Sequence, residues 1–163
     1  GFRVGMLTFG AKASSSDKEL YDALEKKVAG AIRSSISNCS QPAQAVLTKA
    51  LADENVDQQR AEKKRILQQR AEKVCEVVRR PEFADLWEVY PFNAGYFMCL
   101  KLKGIDAEAF RKHLLEEHGV GVIADGPHDV RVAFSAVDLE NIEELYSILA
   151  TAAREMRNST CNG

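Results

Sequence analysis

Hydrophobic and polar residues alternate at the start of the chain and then recur at helical spacing. Residues 2–9 (FRVGMLTF) are mostly apolar and alternate weakly, which predicts a buried strand. From Leu20 to Ile32 the apolar residues form one helical stripe, which predicts a helix from about residue 17 to residue 35. Ser16 and Glu19 have the spacing of a capping box at its start.

A second helical stretch follows and runs to Arg80, with no Gly or Pro between Pro42 and Pro81. Ser40 can cap it, and Pro42 falls in its first turn, where a missing N–H costs nothing. The pattern leaves open one long helix or two helices with a break near Asp53–Val56. Its apolar stripe is narrow, which predicts a mostly solvated helix with one buried edge.

After Pro81 the pattern changes to short β segments and helices in alternation, up to residue 157. Such alternation predicts a compact α+β lobe with its own core. We expect strands at Trp87–Tyr90, at Gly95–Leu102 and on both sides of the turn Asp125–Asp129, a helix between Asp106 and Gly119, and a last helix capped by Asp138. The polar tail, residues 158–163, is expected to fray.

Composition and charge exclude several classes of protein. The 163 residues fit one domain or two small lobes, and no apolar run reaches the ~18 residues that a membrane span needs. The chain carries 22 Lys and Arg against 24 Asp and Glu, so it has no overall attraction for nucleic acid. The basic run from Arg60 to Lys73 is interleaved with acids and contains no aromatic residue for stacking, which favours a solvated helix face.

Cysteines and histidines give no metal motif. The four cysteines lie far apart with no CxxC pair, which is typical of reduced thiols in a cytoplasmic protein. His113 and His118 are five residues apart, so we expect them on different faces of a helix and predict no metal site.

The first residues suggest a fragment. The chain begins without an initiator Met, inside the predicted strand, and one strand with long helices cannot close a sheet. We expect a piece of a longer protein, although a cloning or maturation product would look the same.

Two arginines are flanked by apolar residues in predicted strands: Arg3 in Phe-Arg-Val and Arg131 in Val-Arg-Val. A guanidinium is expensive to bury unpaired, and its fork fits carboxylates and phosphates. One interpretation is that the two arginines bind anionic ligands. The alternative is that each pairs with a nearby acid, such as Asp129, or points to solvent.

The order of motifs resembles the C-terminal part of class I/II aminotransferases, which are fold-type I enzymes that use pyridoxal 5'-phosphate (PLP). The resemblance runs from residue 1 to about residue 156 through GFRVG, AIRSSISNCSQPAQAVL, YPFNAGYFMCLKL, GVGVIADGP and VRVAFS. It implies an α/β fold in which residues 1–80 come from the large cofactor domain and residues 81–157 form the small α+β domain.

The resemblance also implies roles for individual residues. In the family, the Schiff-base lysine precedes a G-x-R-x-G pattern that matches Gly1–Gly5, so this lysine would lie upstream of residue 1 and the segment would hold no catalytic residue. Arg3 matches the arginine that holds the cofactor phosphate, and Arg131 matches the one that binds the substrate α-carboxylate. Arg33 resembles the position that reaches a distal carboxylate across the dimer, although Ser37–Ser40 departs from the family's Ser-Asn-Pro-Pro.

The loop Asn93-Ala94-Gly95 lies where family members bring backbone close to the substrate. The absence of a side chain at Gly95 would permit this approach, and a bulge or bend is the alternative reason for a glycine there.

The function that this resemblance implies is transfer of an amino group between an amino acid and a 2-oxo acid by a homodimeric, PLP-dependent parent enzyme, with the segment inactive alone. One alternative is the effector-sensing domain of a transcription regulator with the same fold, which a winged-helix segment upstream would indicate. Another is an α/β interaction module that does not use PLP.

Overall fold

The computed structural model describes residues 3–11, 16–93 and 95–161, apart from the side chains of 159–161. By its contacts the chain forms two compact units, Gly1–Gln59 and Arg60–Gly163. Predictions that fall on Gly1, Phe2, Lys12 and Ala94 lie outside the described residues. In the described part of the chain, no helix combines the length and the apolar composition that crossing a bilayer requires.

The first unit contains helices at the predicted positions. Helix α1 spans Asp17–Ser35, α2 spans Gln41–Leu51, and α3 begins at Val56 and continues to Val78 in the second unit. Ser16 Oγ accepts a hydrogen bond from the backbone N–H of Glu19 at 3.3 Å, so the predicted cap of α1 is confirmed.

The break between α2 and α3 is also confirmed, at Asp53–Val56. The Oδ1 atom of Asp53 accepts a hydrogen bond from the backbone N–H of Asn55 at 2.8 Å. An aspartate that binds the backbone two residues on forms a turn that competes with the helix. The sequence therefore forms two helices here.

The prediction of a buried strand over residues 2–9 is wrong for the part that is described. Residues 3–11 form no regular secondary structure, and Met6 and Leu7 are 74% and 69% exposed. A strand is stabilised only when a neighbouring strand pairs with its backbone groups. The described residues of the first unit contain no such neighbour, so apolar composition alone does not produce a strand.

The second unit is a four-stranded antiparallel sheet packed against helices. Its elements are β1 (Trp87–Val89), β2 (Met98–Leu102), α4 (Ala107–His118), β3 (Ile123–Ala124), β4 (Asp129–Val132) and α5 (Ile142–Cys161). The strand order is β1-β2-β4-β3, and each neighbouring pair is antiparallel. The order in the sheet therefore differs from the order in the chain. Helix α4 connects β2 to the β3–β4 hairpin, whose second strand pairs with β2.

One side of this sheet forms the core. Alternate residues of β2 and β4 are at most 3% exposed, namely Met98, Leu100, Leu102, Val130 and Val132. Buried side chains of the helices belong to the same cluster: Val74, Val77 and Val78 of α3, Phe110 and Leu114 of α4, and Ile142, Tyr146 and Leu149 of α5. The end of α3 therefore packs within the second unit.

Two helix boundaries of the second unit illustrate where local signals suffice. Asp106 Oδ1 accepts from the N–H of Ala109 at 2.8 Å, and Gly119 ends α4 with a φ of 68°, both as predicted. Asp138 does not cap α5, because a 3-10 turn at Leu139–Asn141 precedes the helix and the Asp138 carboxylate accepts from Arg70 Nη2 at 2.9 Å. Helix α5 then continues to Cys161, into the segment predicted to fray.

Candidate functional site

The sheet has a second side, whose residues are mostly polar and are partly buried or exposed. Because paired residues of neighbouring strands point to the same side, the register identifies this side. It pairs Arg131 with Cys99 and Ile123, and Asp129 with Lys101, which in turn pairs with Glu88. We call this side, formed by Glu88, Cys99, Lys101, Ile123, Asp129 and Arg131, the open face.

Arg131 lies in the middle of the open face and is held on two sides. Its guanidinium carbon is 5.1 Å from the centroid of the Phe97 ring. Its Nη1 atom is 3.9 Å from Oδ2 of Asp125, which is an ion pair but too long for a hydrogen bond. The side chain is 36% exposed, so it is neither buried in the core nor free in solvent.

The Nε atom of Arg131 has an unusual environment. It is buried, and among the described residues it has no hydrogen-bond partner. A buried polar atom without a partner costs roughly 1–3 kcal/mol, and native structures rarely leave one without a reason. The head group therefore has donor capacity that the described chain does not use, as expected for a site that receives an anion.

The alternative that Arg131 pairs with a nearby acid is met by Asp125, which lies at ion-pair distance. Asp129, the acid named as its example, has a different partner. Its Oδ1 atom accepts a hydrogen bond from the hydroxyl of Tyr90 at 2.8 Å. This hydrogen bond, with burial as a smaller cause, raises the pKa of Tyr90 above its usual value. Tyr90 therefore stays protonated at neutral pH and occupies one oxygen of the Asp129 carboxylate.

A shallow cleft of about 350 Å³ lies in this part of the second unit, and Arg131 itself is not among its lining residues. Both groups that contact the guanidinium, Phe97 and Asp125, line it, together with Tyr90, Phe92, Cys99 and Asp129. Its lining thus combines three aromatic residues with two carboxylates. A small ligand bound there would lie against Phe97, the ring that contacts the Arg131 guanidinium.

The loop between β1 and β2 contributes Phe92 and Phe97 to the lining of this cleft. Gly95 has a φ of 99°, a conformation that side chains other than glycine rarely adopt, and nothing lies within 4 Å of the position that a Cβ would take. The backbone conformation therefore gives a reason for glycine, in agreement with a bend. Asn93 is exposed at the start of the same loop.

The other two predicted site residues belong to the first unit. Arg33 lies in the last turn of α1, and its Nη1 atom donates to Ser37 Oγ at 2.7 Å. Ser37 has a φ of 69°, which turns the chain away from the helix. Arg3 is exposed in the irregular segment 3–11, with a φ of 55°.

The two histidines of α4 are not separated as their spacing predicts. Positions five apart are about 140° apart around an ideal helix. Nevertheless His113 and His118 both contact Glu155 of α5, through their Nε2 atoms. The prediction that they face different environments is wrong because α5 packs beside α4 and brings one carboxylate between them.

Sequence reasoning did not identify Phe97 and Asp125 as neighbours of Arg131. Phe97 lies in the predicted strand Gly95–Leu102, and only the observed register, with Cys99 opposite Arg131, places it beside the guanidinium. The apolar residues on both sides of Arg131 were the available signal, since they predict a strand whose neighbours on either edge supply the contacts.

The chain was compared with known proteins in three ways. Residues 1–149 match the family model described as aminotransferase class I and II. The comparison with curated proteins gives no match.

Solved structures of aminotransferases resemble the chain in fold. LysN, an α-aminoadipate aminotransferase from Thermus thermophilus complexed with N-(5'-phosphopyridoxyl)-L-leucine, matches with a TM-score of 0.69 at 20% identity, over 84% of this chain and 36% of that one. An aminotransferase from Anaerococcus prevotii matches with a TM-score of 0.67 at 25% identity, over 85% and 33%. Kynurenine aminotransferase from Pyrococcus horikoshii, in complex with PMP, KYN and KYA, matches with a TM-score of 0.69 at 18% identity, over 82% and 35%.

The chain spans about a third of the length of these structures. The family model matches almost the entire chain, and it includes both Arg3 and Arg131. The observed mixture of long helices with a small antiparallel sheet is the fold that the resemblance implies. The chain therefore belongs to the class I and II aminotransferase family.

Proposed function

We propose that the chain is a segment of a PLP-dependent aminotransferase that transfers an amino group between an amino acid and a 2-oxo acid. In this proposal Arg131 binds the α-carboxylate that both substrates carry. The observation that supports it is the guanidinium on the open face, with a buried Nε that has no partner among the described residues.

The contacts of Arg131 suit a carboxylate ligand. A carboxylate binds best to two parallel N–H groups of one guanidinium, and Nε with one Nη forms such a pair. Asp125 is 63% exposed and too distant for a hydrogen bond, so it holds the guanidinium only weakly. A substrate carboxylate would therefore bind the exposed part of the head group, and pairing with the buried Nε requires that the guanidinium turn outward.

The residues of the first unit fit an anionic cofactor in their chemistry. Arg3 presents an exposed guanidinium, the donor that a phosphate group favours. PLP, when bound, supplies the electron sink for amino transfer, and Arg3 would hold its phosphate. Lys103 donates to the carbonyl of Ala84 at 3.0 Å and Lys101 is exposed on a strand, so neither is placed as a cofactor lysine.

Further residue roles belong to the same proposal. Arg33 would bind the distal carboxylate of a dicarboxylic substrate across a homodimer, and Asn93 and Gly95 would lie close to the substrate. The cleft beside Arg131, which Phe92 and Phe97 line, supports a substrate position near this loop. Residues 1–80 would belong to the large cofactor domain and residues 81–157 to the small domain.

A homodimeric, cytoplasmic parent enzyme is also part of the proposal. Large apolar side chains are exposed in the first unit, among them Met6, Leu7 and Ile36 at 64–74%, as on a surface that a partner covers. Three described cysteines, Cys39, Cys75 and Cys99, are free thiols, which suits a reducing compartment. Analytical ultracentrifugation of the full-length enzyme tests the dimer, and a monomer at working concentration would contradict it.

The role of Arg131 is tested by Arg131→Ala and Arg131→Lys in the full-length enzyme. We expect each variant to lower kcat/KM by more than about tenfold in both half-reactions, since both substrates carry an α-carboxylate. Arg111→Ala, which removes an arginine paired with Glu108 on the surface of α4, serves as the matched control and should leave kcat/KM unchanged.

A second measurement separates a binding role from a structural one. With an amine substrate that lacks the carboxylate, wild type and Arg131→Ala should react at the same rate. If Arg131→Ala folds normally and keeps full activity toward amino acids, Arg131 is not the carboxylate site. If it loses activity equally toward the amine, its role is structural.

The dependence on an upstream lysine is tested with the 163-residue segment. Mixed with PLP and then reduced with borohydride, the segment should carry no PLP adduct on any lysine, as read by mass spectrometry of its peptides. A stoichiometric adduct on one lysine would overturn this part of the proposal.

A further inference from the structure

Three side chains that the proposed function does not use form a compact cluster on the helices of the second unit. His113 and His118 are in α4 and Glu155 is in α5. The Nε2 atoms of His113 and His118 are both within hydrogen-bond distance of the same carboxylate oxygen, Oε2 of Glu155, at 2.8 Å and 2.9 Å. All three ligand atoms lie within 4.8 Å of one another.

The two imidazole rings are oriented toward a common point. Their centroids are 5.7 Å apart and their planes are inclined at 77°, so they meet edge to face and do not stack. Each ring therefore directs a nitrogen at the carboxylate from a different side. This convergence of three ligand atoms on one point is the geometry from which metal sites are built.

We propose that His113, His118 and Glu155 form a binding site for a divalent transition-metal ion of the Zn²⁺ class, which links the C-terminal end of α4 to α5.

The ligand set determines the class of ion. Two imidazole nitrogens and one carboxylate oxygen form a set that Zn²⁺ takes, with a fourth position left for water. Mg²⁺ and Ca²⁺ prefer oxygen ligands alone, so the two histidines disfavour them. The chemistry therefore favours borderline ions such as Zn²⁺ and Co²⁺.

The cluster has to rearrange to admit the ion. Its distances of 2.8 Å and 2.9 Å are those of hydrogen bonds. Tetrahedral bonds of about 2.0–2.1 Å place ligand atoms about 3.3 Å apart, so each nitrogen has to move roughly half an ångström from the carboxylate oxygen. The two nitrogens, which lie within 4.8 Å of each other, have to reach the same separation. Each neutral imidazole then offers the lone pair of Nε2 to the ion and carries its one proton on Nδ1.

The ligands are carried by two helices of the second unit, and the site is accessible. Leu114, next to His113, is fully buried in the core, and Gly119 ends α4 directly after His118. The side chains of His113, His118 and Glu155 are 29%, 19% and 45% exposed, so solvent reaches them while packing restricts their rotamers. Such preorganisation lowers the entropy that binding has to overcome.

Binding is measured by titrating the metal-free 163-residue chain with ZnCl₂ in a calorimeter. We expect one tight site per chain and a midpoint of thermal unfolding that rises with Zn²⁺ concentration, because an ion that binds only the folded state stabilises it. MgCl₂ at the same concentration should cause neither effect. If Zn²⁺ binds only weakly, or if Mg²⁺ gives the same response, the proposal is wrong.

Substitutions locate the site. His118→Gln and Glu155→Gln should each weaken Zn²⁺ binding by more than about tenfold. Even the loss of a residue that only hydrogen-bonds to a metal ligand lowers metal affinity on this scale. His128→Gln is the matched control, because His128 lies outside the cluster and contacts the carbonyl of Ile105. Unchanged affinity in both cluster variants, or an equal loss in the control, would overturn the assignment.

A spectroscopic measurement on the wild-type chain covers the case in which a variant fails to fold. Co²⁺ in the proposed site should give the visible bands of a tetrahedral nitrogen and oxygen environment without a thiolate charge-transfer band. A thiolate band would assign the ion to a cysteine and contradict the proposal. Because this test does not involve Arg131 or PLP, its result is independent of the proposed function.

Discussion

The guanidinium of Arg131 lies over the ring of Phe97, with 5.1 Å between the guanidinium carbon and the ring centroid. Phe97 itself is 48% exposed, which is unusual for a phenylalanine with a purely structural role. The ring covers one side of the planar cation, and the side chain as a whole remains 36% exposed. The ring therefore orients the head group that we propose to bind the substrate carboxylate.

Replacing Phe97 tests this orientation. Phe97→Leu in the full-length enzyme should raise KM by about two- to fivefold, because an exposed cation–π contact contributes about 0.5–1 kcal/mol. Phe97→Tyr keeps the ring and should leave KM near the wild-type value. Steady-state kinetics of the three proteins decide the question, and an equal rise in both variants would show that shape and not the ring is responsible.

Gly95 is expected to be sensitive to substitution. Gly95→Ala forces a side chain into a φ of 99° and should destabilise the chain by about 1 kcal/mol or more, although no atom lies near the new methyl group. Gly121→Ala is the matched control, since Gly121 has equally open surroundings. Urea unfolding of the two variants should separate them, and equal stability would mean that the loop relaxes to a different conformation.

Replacing Tyr146 is expected to stabilise the chain, in contrast to Gly95→Ala. Its hydroxyl is buried and has no hydrogen-bond partner among the described residues, and burial raises the pKa of this phenol. Tyr146→Phe removes the unsatisfied group and should raise the free energy of unfolding by about 1 kcal/mol. Tyr90→Phe, which loses the hydrogen bond to Asp129, should lower it. A loss of stability in Tyr146→Phe would indicate a partner for this hydroxyl.

The ion-pair cluster of Glu143 makes stability depend on pH. Hydrogen bonds from Arg80 and then Lys73 lower the pKa of Glu143 from 4.5 to about 2. Because the folded-state pKa lies below the unfolded one, this carboxylate stabilises the fold above pH 4.5, and the contribution is lost as the pH falls toward 2.

In Glu143→Gln the corresponding part of the acid transition should be absent. Thermal unfolding recorded through this pH range measures it. Glu144→Gln, which changes the neighbouring exposed glutamate, is the control and should keep the wild-type pH profile. If the two variants behave alike, the surface pairs contribute nothing measurable, as is common for exposed ion pairs.

Local sequence signals predicted the helices well. The caps at Ser16 and Asp106, the break before Val56 and the left-handed Gly119 are all confirmed, because each depends on residues within one turn of one another. Asp138 shows the limit of such signals. Its carboxylate binds Arg70, which is far away in the sequence, and the helix begins later.

The candidate site was predictable only in part. The residues on either side of Arg131 predict a strand arginine, and the family resemblance predicts its role, but neither gives its neighbours. Phe97 and Asp125 reach it because of strand register, and the Nε environment depends on packing between strands. The His113–His118–Glu155 cluster depends likewise on how α5 packs against α4.

The sequence by itself determined the helices with their caps, the two arginines flanked by apolar residues and the membership of the family, since all of these depend on which residues stand near one another in the chain. Only the tertiary structure decided that residues 3–11 form no strand, which groups surround Arg131, and that two histidines share one carboxylate. The physical reason is that strand pairing, register and helix packing join residues distant in sequence, and their energies depend on contacts that no local pattern records.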